Sequence, residues 1–307
     1  MSLLTVGTVA FDAIETPFGK TDRITGGSGN YICHAAGHFT SNMQLVSVVG
    51  DDFSQNELNY LKSIGTDISG VQIMEGQKSF FWSGKYHHDL NKRDTLVTDL
   101  NVLADFNPIL PKNFQTPEFL ILGNIDPSLQ IKVIEQLKEK PKLIAMDTMN
   151  FWMDIALEPL QKVLGMVDLL IVNDEEARQL SNEYSLVKAA EKIRAMGPKY
   201  LIIKKGEHGA LLFHENKVFF APALPLEEVF DPTGAGDTFA GGFMGYLSAT
   251  KDLSFQNMKR AVIFGSAMAS FCVEKFGPQR LKEVTKQEID ERVQVFIELV
   301  DFDIILE

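Results

Sequence analysis

Residues 231–243 read DPTGAGDTFAGGF, between the strand-like KVFFAPALPLEEVF (217–230) and the helical MGYLSATK (244–251). Phe239, Phe243 and Tyr246 fall on one apolar face if a helix starts near Gly236. Gly241, Gly242 and Gly245 weaken that helix, each by about 1 kcal/mol relative to alanine, so another backbone or a ligand is expected close by. Gly234, Ala235 and Gly236 stand at the helix start, where several backbone N–H groups lack intrahelical partners. With almost no side chain around them, those N–H groups can converge on a phosphate, aided by the helix dipole. Asp237 is then either a plain helix cap or the acceptor of a proton from a hydroxyl that attacks phosphorus.

Outward from this stretch, short apolar runs alternate with longer amphipathic ones. LLTVGTV (3–9), QLVSVVG (44–50), EFLILG (118–123), KLIAMD (142–147), DLLIVN (168–173) and YLIIKKG (200–206) read as buried strands. PSLQIKVIEQLKEK (127–140) and LVKAAEKIRAMG (186–197) read as helices between them. Continuous apolar strands separated by helices predict an α/β fold with a mainly parallel sheet sandwiched by helices. ALLFHENKVFFAP (210–222) predicts an antiparallel hairpin turning at Glu215-Asn216. Two patches, about 10–27 and 70–105, mix strand formers with turn residues and predict a small β-sheet lid built from insertions into a single domain spanning 1–307.

The chain has 307 residues, 45% hydrophobic and 23% charged, which is enough apolar sequence for a substantial core. A net charge of −12 argues against nucleic acid as a partner. Cys33 and Cys272 are the only cysteines, and their spacing suits neither a metal nor a redox site. No basic leader and no apolar run of membrane-spanning length is evident, so no membrane association and a cytoplasmic location are expected.

Several tempting motifs fail. PFGKT (17–21) lacks the upstream glycine of a phosphate-binding P-loop, and GGSGNY (26–31) lacks the last glycine of a dinucleotide fingerprint. His34 and His38 share a helical face, but no third metal ligand accompanies them. Asn173 and Glu176, in NDEEA, sit where a strand gives way to a helix, at the ligand-binding edge of such sheets. They read equally as a cap with dipole-compensating acids. Asp147 and Asn150 end another strand at the same edge.

DPTGAGDTFAGGF resembles the C-terminal motif of the PfkB/ribokinase family of carbohydrate kinases, and GTVAFD (7–12), GGSGNYICHAAGHF (26–39), NDEEA (173–177) and KKGEHGALLF (204–213) are similar to other family motifs. The resemblance implies a ribokinase-like fold and ATP with Mg²⁺ as donor. It implies Asp237 as catalytic base, with the backbone of Gly234, Ala235 and Gly236 as anion hole. It implies acceptor binding by Asp12, Gly26, Gly27 and Asn30, and nucleotide binding by Lys204, Gly206 and Gly209. It implies Asn173 and Glu176 acting on Mg²⁺ through water, and Asp231 and Thr233 at a monovalent cation such as K⁺. Tyr31 stands where the family has its asparagine, and Asn30 precedes it.

The expected activity is ATP-dependent phosphorylation of a hydroxyl, a primary one, on a sugar or sugar derivative. A nucleoside kinase of the same fold and a non-catalytic sugar or nucleotide sensor are the alternatives. Phe80, Phe81, Trp82 and Tyr86 in the lid could cover a sugar or stack on a base. The apolar SFFWSG run predicts a homodimer through the lid.

Overall fold

The computed structural model describes residues 2–301. Nine strands form the main sheet: β1 (Leu3–Val6), β5 (Met43–Gly50), β6 (Thr66–Met74), β9 (Phe119–Leu122), β10 (Leu143–Asp147), β11 (Leu169–Asn173), β12 (Tyr200–Lys204), β13 (Ala210–His214) and β14 (Lys217–Ala221). Their spatial order is β14-β13-β12-β11-β10-β9-β1-β5-β6. Only the β12–β13 and β13–β14 pairings are antiparallel. The hairpin turns at Glu215-Asn216 as expected, with Glu215 at φ 50°.

Alternation along each strand divides the core between two faces. Leu4, Val6, Leu120, Leu122, Ile144, Met146, Leu170 and Val172 face one layer, with Val133, Leu160, Val163, Ala177 and Ile193 from the covering helices. Leu3, Phe119, Ile121, Ala145, Leu169 and Ile171 face the other, against Ile32, Phe239, Phe243, Met258 and Val262. Strand order reverses at β1, which pairs with β9 on one side and β5 on the other. The crevice at the carboxyl ends of the strands there is the ligand position in open α/β sheets.

A second sheet is built from β2 (Ala10–Thr16), β3 (Gly19–Lys20), β4 (Ile24–Gly26), β7 (Phe81–Tyr86) and β8 (Arg93–Asp99). Its order is β3-β2-β7-β8, with β4 also on β2. The β2–β7 pairing is parallel and the others are antiparallel. The lid thus comes from the two anticipated patches, but residues 70–74 do not belong to it. They complete β6, which pairs with β5 as the edge of the main sheet. An edge strand alternates buried and exposed positions, so it reads like a lid strand in sequence.

The ends of two helices are fixed by tertiary hydrogen bonds. The one expected over 127–140 is Pro127–Glu135, and Lys138 N–H donates instead to the Gln115 carbonyl at 2.8 Å. The helix opening at Phe255 ends at Cys272, after which the Val273 carbonyl accepts from Phe230 N–H at 2.9 Å.

Candidate active site

The helix Ala235–Thr250 is capped by Gly234 at φ 75°, with no side chain acting as cap. A β-carbon at Gly234 would also meet the Tyr31 ring at 2.4 Å, so this turn requires glycine twice over. Ala235 N–H turns back to the Pro232 carbonyl (3.2 Å) and Thr238 N–H to Gly234 (2.8 Å). The N–H groups of Gly234, Gly236 and Asp237 have no acceptor among the described hydrogen bonds. Of the three residues expected to bare their N–H groups, Ala235 therefore does not. The glycines deeper in the helix answer to packing: a β-carbon on Gly241 would stand 2.4 Å from the Ile32 carbonyl oxygen in the buried helix Ser28–Ala36.

Four charged side chains converge here. Asp147 ends β10 and Lys204 ends β12, where Lys204 is the register partner of Asn173 at the end of β11. Lys204 Nζ lies 3.8 Å from Asp147 Oδ2 and 2.7 Å from the point a Gly236 β-carbon would occupy. The fold thus carries the Lys204 ammonium to the helix start beside Asp237. Asn173 and Glu176 form a reciprocal capping box: Glu176 Oε2 accepts from Asn173 N–H (2.7 Å) and Asn173 Oδ1 from Glu176 N–H (2.8 Å). Capping consumes one Glu176 oxygen and leaves the other free.

Electrostatics follow from burying several carboxylates around one ammonium. Burial pushes Asp237 up to about 7; the Asp147 charge adds to this, while Lys204 and Arg93 oppose it. Burial and then Asp147 raise Glu176 in the same way. Asp147 is itself raised by burial against the pull of Lys204. Burial works to lower Lys204, but Asp147, Glu176 and Asp237 outweigh it and hold the ammonium charged.

Asp12 lies on β2, a strand of the lid itself, with its carboxyl over Gly26, where a β-carbon would collide with Oδ2 at 1.9 Å. Burial, then the charges of Asp231 and Asp237, push Asp12 up to about 8. Gly27, at φ 92°, turns the chain into the helix Ser28–Ala36, and Ser28 N–H is held by Thr8 Oγ1 at 2.9 Å. Asn30 is 0% exposed, and neither atom of its amide has a partner. The Tyr31 hydroxyl is likewise buried and unpartnered. A buried polar group left unpaired costs about 1–3 kcal/mol, so the Asn30 amide and the Tyr31 hydroxyl call for partners that the protein itself does not supply.

Asp231 ties two loops together, accepting from Thr233 N–H on Oδ1 (2.8 Å) and from Gly277 N–H on Oδ2 (2.9 Å). The lid rests on the same loop, where Thr233 Oγ1 donates to Tyr86 Oη at 3.1 Å. Phe18 and Phe230 stack edge-on with ring centroids 6.1 Å apart. Gly206 and Gly209 flank the turn between β12 and β13, both at positive φ. Asn91 Oδ1, at the tip of the β7–β8 hairpin, is 2.5 Å from the place of a Gly206 β-carbon.

His34 takes no part in a metal site; its Nε2 is 2.7 Å from Glu57 Oε1, inside the core. The nearness of Arg93 to Asp237, of Tyr31 to Gly234 and of Lys204 to Gly236 was not anticipated. Arg93 and Lys204 sit in segments that read as ordinary strands, and Tyr31 was visible only as a departure from a motif.

Among the described residues no helix is long and apolar enough to cross a membrane. Residues 3–285 match the pfkB family carbohydrate kinase family. The chain is 29% identical over 283 residues to a cytidine kinase of Thermococcus kodakarensis, covering 90% of this chain and 98% of that protein. It is 26% identical over 297 residues to a nucleoside kinase of Methanothermobacter thermautotrophicus, covering 90% and 91%. Its fold matches the Methanocaldococcus jannaschii nucleoside kinase crystal structure with a TM-score of 0.76 at 23% identity, over 96% of this chain and 98% of that one. A putative ribokinase II from E. coli, in complex with ATP and Mg²⁺, matches with a TM-score of 0.80 at 19% identity, over 96% and 99%. With an unpartnered helix start facing Lys204 and a ribokinase-like sheet and lid around them, the chain belongs to the pfkB family of carbohydrate kinases and is an ATP-dependent phosphotransferase acting on an alcohol group.

Proposed function

We propose that the acceptor is a pentose unit whose primary hydroxyl is phosphorylated, with a nucleoside as the first class to test and a free sugar as the second. The observation that carries this reading is the pair Asp12 and Asn30. Asp12, on lid strand β2, and Asn30, in the helix Ser28–Ala36, are both buried, and the Asn30 amide has two unpartnered polar atoms. A carboxyl and an amide together suit a vicinal diol, since the carboxylate accepts from hydroxyls and the amide both donates and accepts. Cytidine and nucleoside kinases among the relatives favour the nucleoside.

In this reading Asp237 takes the proton from the attacking hydroxyl, while Lys204 and the free N–H groups of Gly236 and Asp237 hold the transferred phosphoryl oxygens. Asn173 stays the cap that orients Glu176, and Gly206 and Gly209 border the nucleotide. The lid excludes water from the transfer. Among the described residues no group of three His, Cys, Asp or Glu side chains could hold a metal alone. That suits Mg²⁺, which keeps most of its waters and binds through one or two carboxylates and phosphates. The free Glu176 oxygen and the neighbouring Asp147 would hold it, and its charge would offset that of the triphosphate. Asp231, with Thr233, is the place for K⁺; turnover with K⁺ replaced by a bulky organic cation tests this. The exposed Leu96 and Val97 on edge strand β8 support a lid-to-lid homodimer, which sedimentation tests.

An ATP-consumption screen across nucleosides and pentoses tests the reading. Turnover of a nucleoside or pentose is expected. Turnover confined to acceptors without a pentose, or none at all, would overturn it.

A further inference from the structure

We propose that Asp52 is a positioning residue for the acceptor: one carboxylate oxygen pins the base of the lid to the main sheet, and the other holds a releasable latch to Arg23. The proposal goes beyond the kinase reading and rests on it only for its kinetic readout.

Asp52 follows β5, at the carboxyl end of the main sheet. Its Oδ1 accepts from Ser79 N–H at 2.8 Å and from Ser79 Oγ at 2.7 Å. Ser79 is buried in the linker from β6 to β7, and its Oγ accepts in turn from Gly50 N–H at 3.0 Å. A β-carbon on Gly50 would stand 2.2 Å from the Gln77 carbonyl oxygen, so this linker lies directly on the end of β5. The Ser79 carbonyl accepts from Asn101 Nδ2 at 2.9 Å, just after β8 ends. The chain that enters the β7–β8 hairpin and the chain that leaves it are thus joined to the main sheet at one buried point, as a pivot requires.

The other oxygen faces the opposite half of the lid. Asp52 Oδ2 accepts from the Arg23 guanidinium, one residue before β4. Arg23 Cζ lies 3.9 Å from the Phe11 ring centroid, and the Phe11 and Phe53 centroids are 5.0 Å apart. β4 pairs with β2, where Ile24 is the register partner of Asp12 and Gly26 lies under the Asp12 carboxyl. A displacement of Arg23 therefore moves the strand against which Asp12 is set.

The two contacts of Asp52 differ in how easily they part. Ser79 is 1% exposed, whereas the Arg23 side chain is 51% exposed. A half-exposed ion pair contributes little to folding and is weakened by salt, so it can break and reform while the Ser79 bonds persist. Burial works to raise Asp52, but the bonds from Ser79 and Arg23 outweigh it and keep the carboxyl below its ordinary value. With the latch made, the lid also meets Thr233 through Tyr86 and the Gly206 turn through Asn91. An acceptor that binds the closed lid loses apparent affinity in proportion to the closed fraction. Breaking the latch lowers that fraction in the free protein, and saturating acceptor restores it. The effect therefore falls on KM rather than on kcat.

The test compares the full-length wild type with Arg23→Met, Arg23→Lys, Asp52→Asn and the Arg23→Met/Asp52→Asn double variant. Once the screen has identified an acceptor, Arg23→Met is expected to raise its KM about tenfold with kcat within about threefold. The melting temperature should stay within a few degrees of wild type, and Arg23→Lys should recover most of KM. Asp52→Asn keeps an oxygen for Ser79 but not the charge for Arg23, so it should match Arg23→Met, and the double variant should add less than about twofold. Hydrogen exchange in Arg23→Met should quicken about tenfold across residues 10–26 and 81–99 and stay as in wild type in β9, β10 and β11. Unchanged acceptor KM with unchanged lid exchange in Arg23→Met would overturn the proposal. So would effects that multiply in the double variant, or a fall in kcat at constant KM, which would put Arg23 in the transfer step. If the wild type turns over nothing, the kinase reading fails, while the exchange comparison still decides the latch.

Discussion

The ammonium of Lys204 stands 2.7 Å from the point where Gly236 would carry a β-carbon. Gly236 is thus the gap through which a lysine at the end of β12 reaches the start of the helix Ala235–Thr250. Its backbone is helical rather than left-handed, so alanine fits the conformation and is favoured by about 1 kcal/mol in a helix interior. The methyl would displace only the far end of a flexible side chain. Gly236→Ala should therefore melt within a few degrees of wild type while kcat falls at least tenfold. Equal turnover in the two proteins would show that no phosphoryl group passes between Lys204 and this helix start.

Gly234 is the contrasting case. Its φ of 75° and the Tyr31 ring 2.4 Å from a β-carbon place strain and overlap at one position. Neither a buried aromatic ring nor a helix cap can yield cheaply. Gly234→Ala should destabilise by about 2–4 kcal/mol. Urea unfolding of the two alanine variants side by side separates a catalytic glycine from a conformational one.

Asp237 links activity and stability to pH in opposite directions. In its proposed role as base it works only when ionised, so kcat/KM should rise with pH and level off above about 7. Its folded pKa is raised above the ordinary value of 3.8, so the native state holds its proton more tightly than the unfolded chain. The stability this contributes is complete below about 4 and is lost as pH rises through about 7. Asp237→Asn should lower kcat by about 10²–10⁴-fold. It should also melt about 2–5 °C above wild type at pH 8, an advantage that vanishes near pH 4. Melting curves at the two pH values check the second half without any substrate.

How far the sequence carried this picture differs by element. DPTGAGD announced the helix start because its glycines conflict with helix propensity while an aspartate suits a helix N-terminus. The apolar strands were legible because burial on both faces removes polar residues. Residues 70–74, the end of Thr66–Met74, were misplaced into the lid because an edge strand alternates as a lid strand does. Arg93 and Lys204 escaped notice as partners of Asp237 for a different reason. Each lies in a segment whose local pattern is an ordinary strand, and only the closed sheet and lid bring them to one point. Tyr31 replaced an expected asparagine, and the reason is steric and tertiary: its ring backs Gly234, which is 203 positions away in sequence.

Asn30 offers a test of whether the acceptor end is kept for a ligand. Its side chain is completely buried and both amide atoms lack partners, an arrangement that a stability-driven core would not retain. Leucine has nearly the same volume and leaves no polar atom unpaired. Asn30→Leu should therefore raise the stability of the ligand-free protein by about 1–2 kcal/mol, read by urea unfolding. The same change removes the hydrogen bonds proposed for the acceptor diol, so kcat/KM for the acceptor should fall at least 100-fold. ADP affinity should not change, because Asn30 belongs to the buried helix beneath the lid rather than to the Gly206 turn. A loss of stability together with normal acceptor turnover would mean that Asn30 serves the core, and the pentose would then have to be held by Asp12 without it.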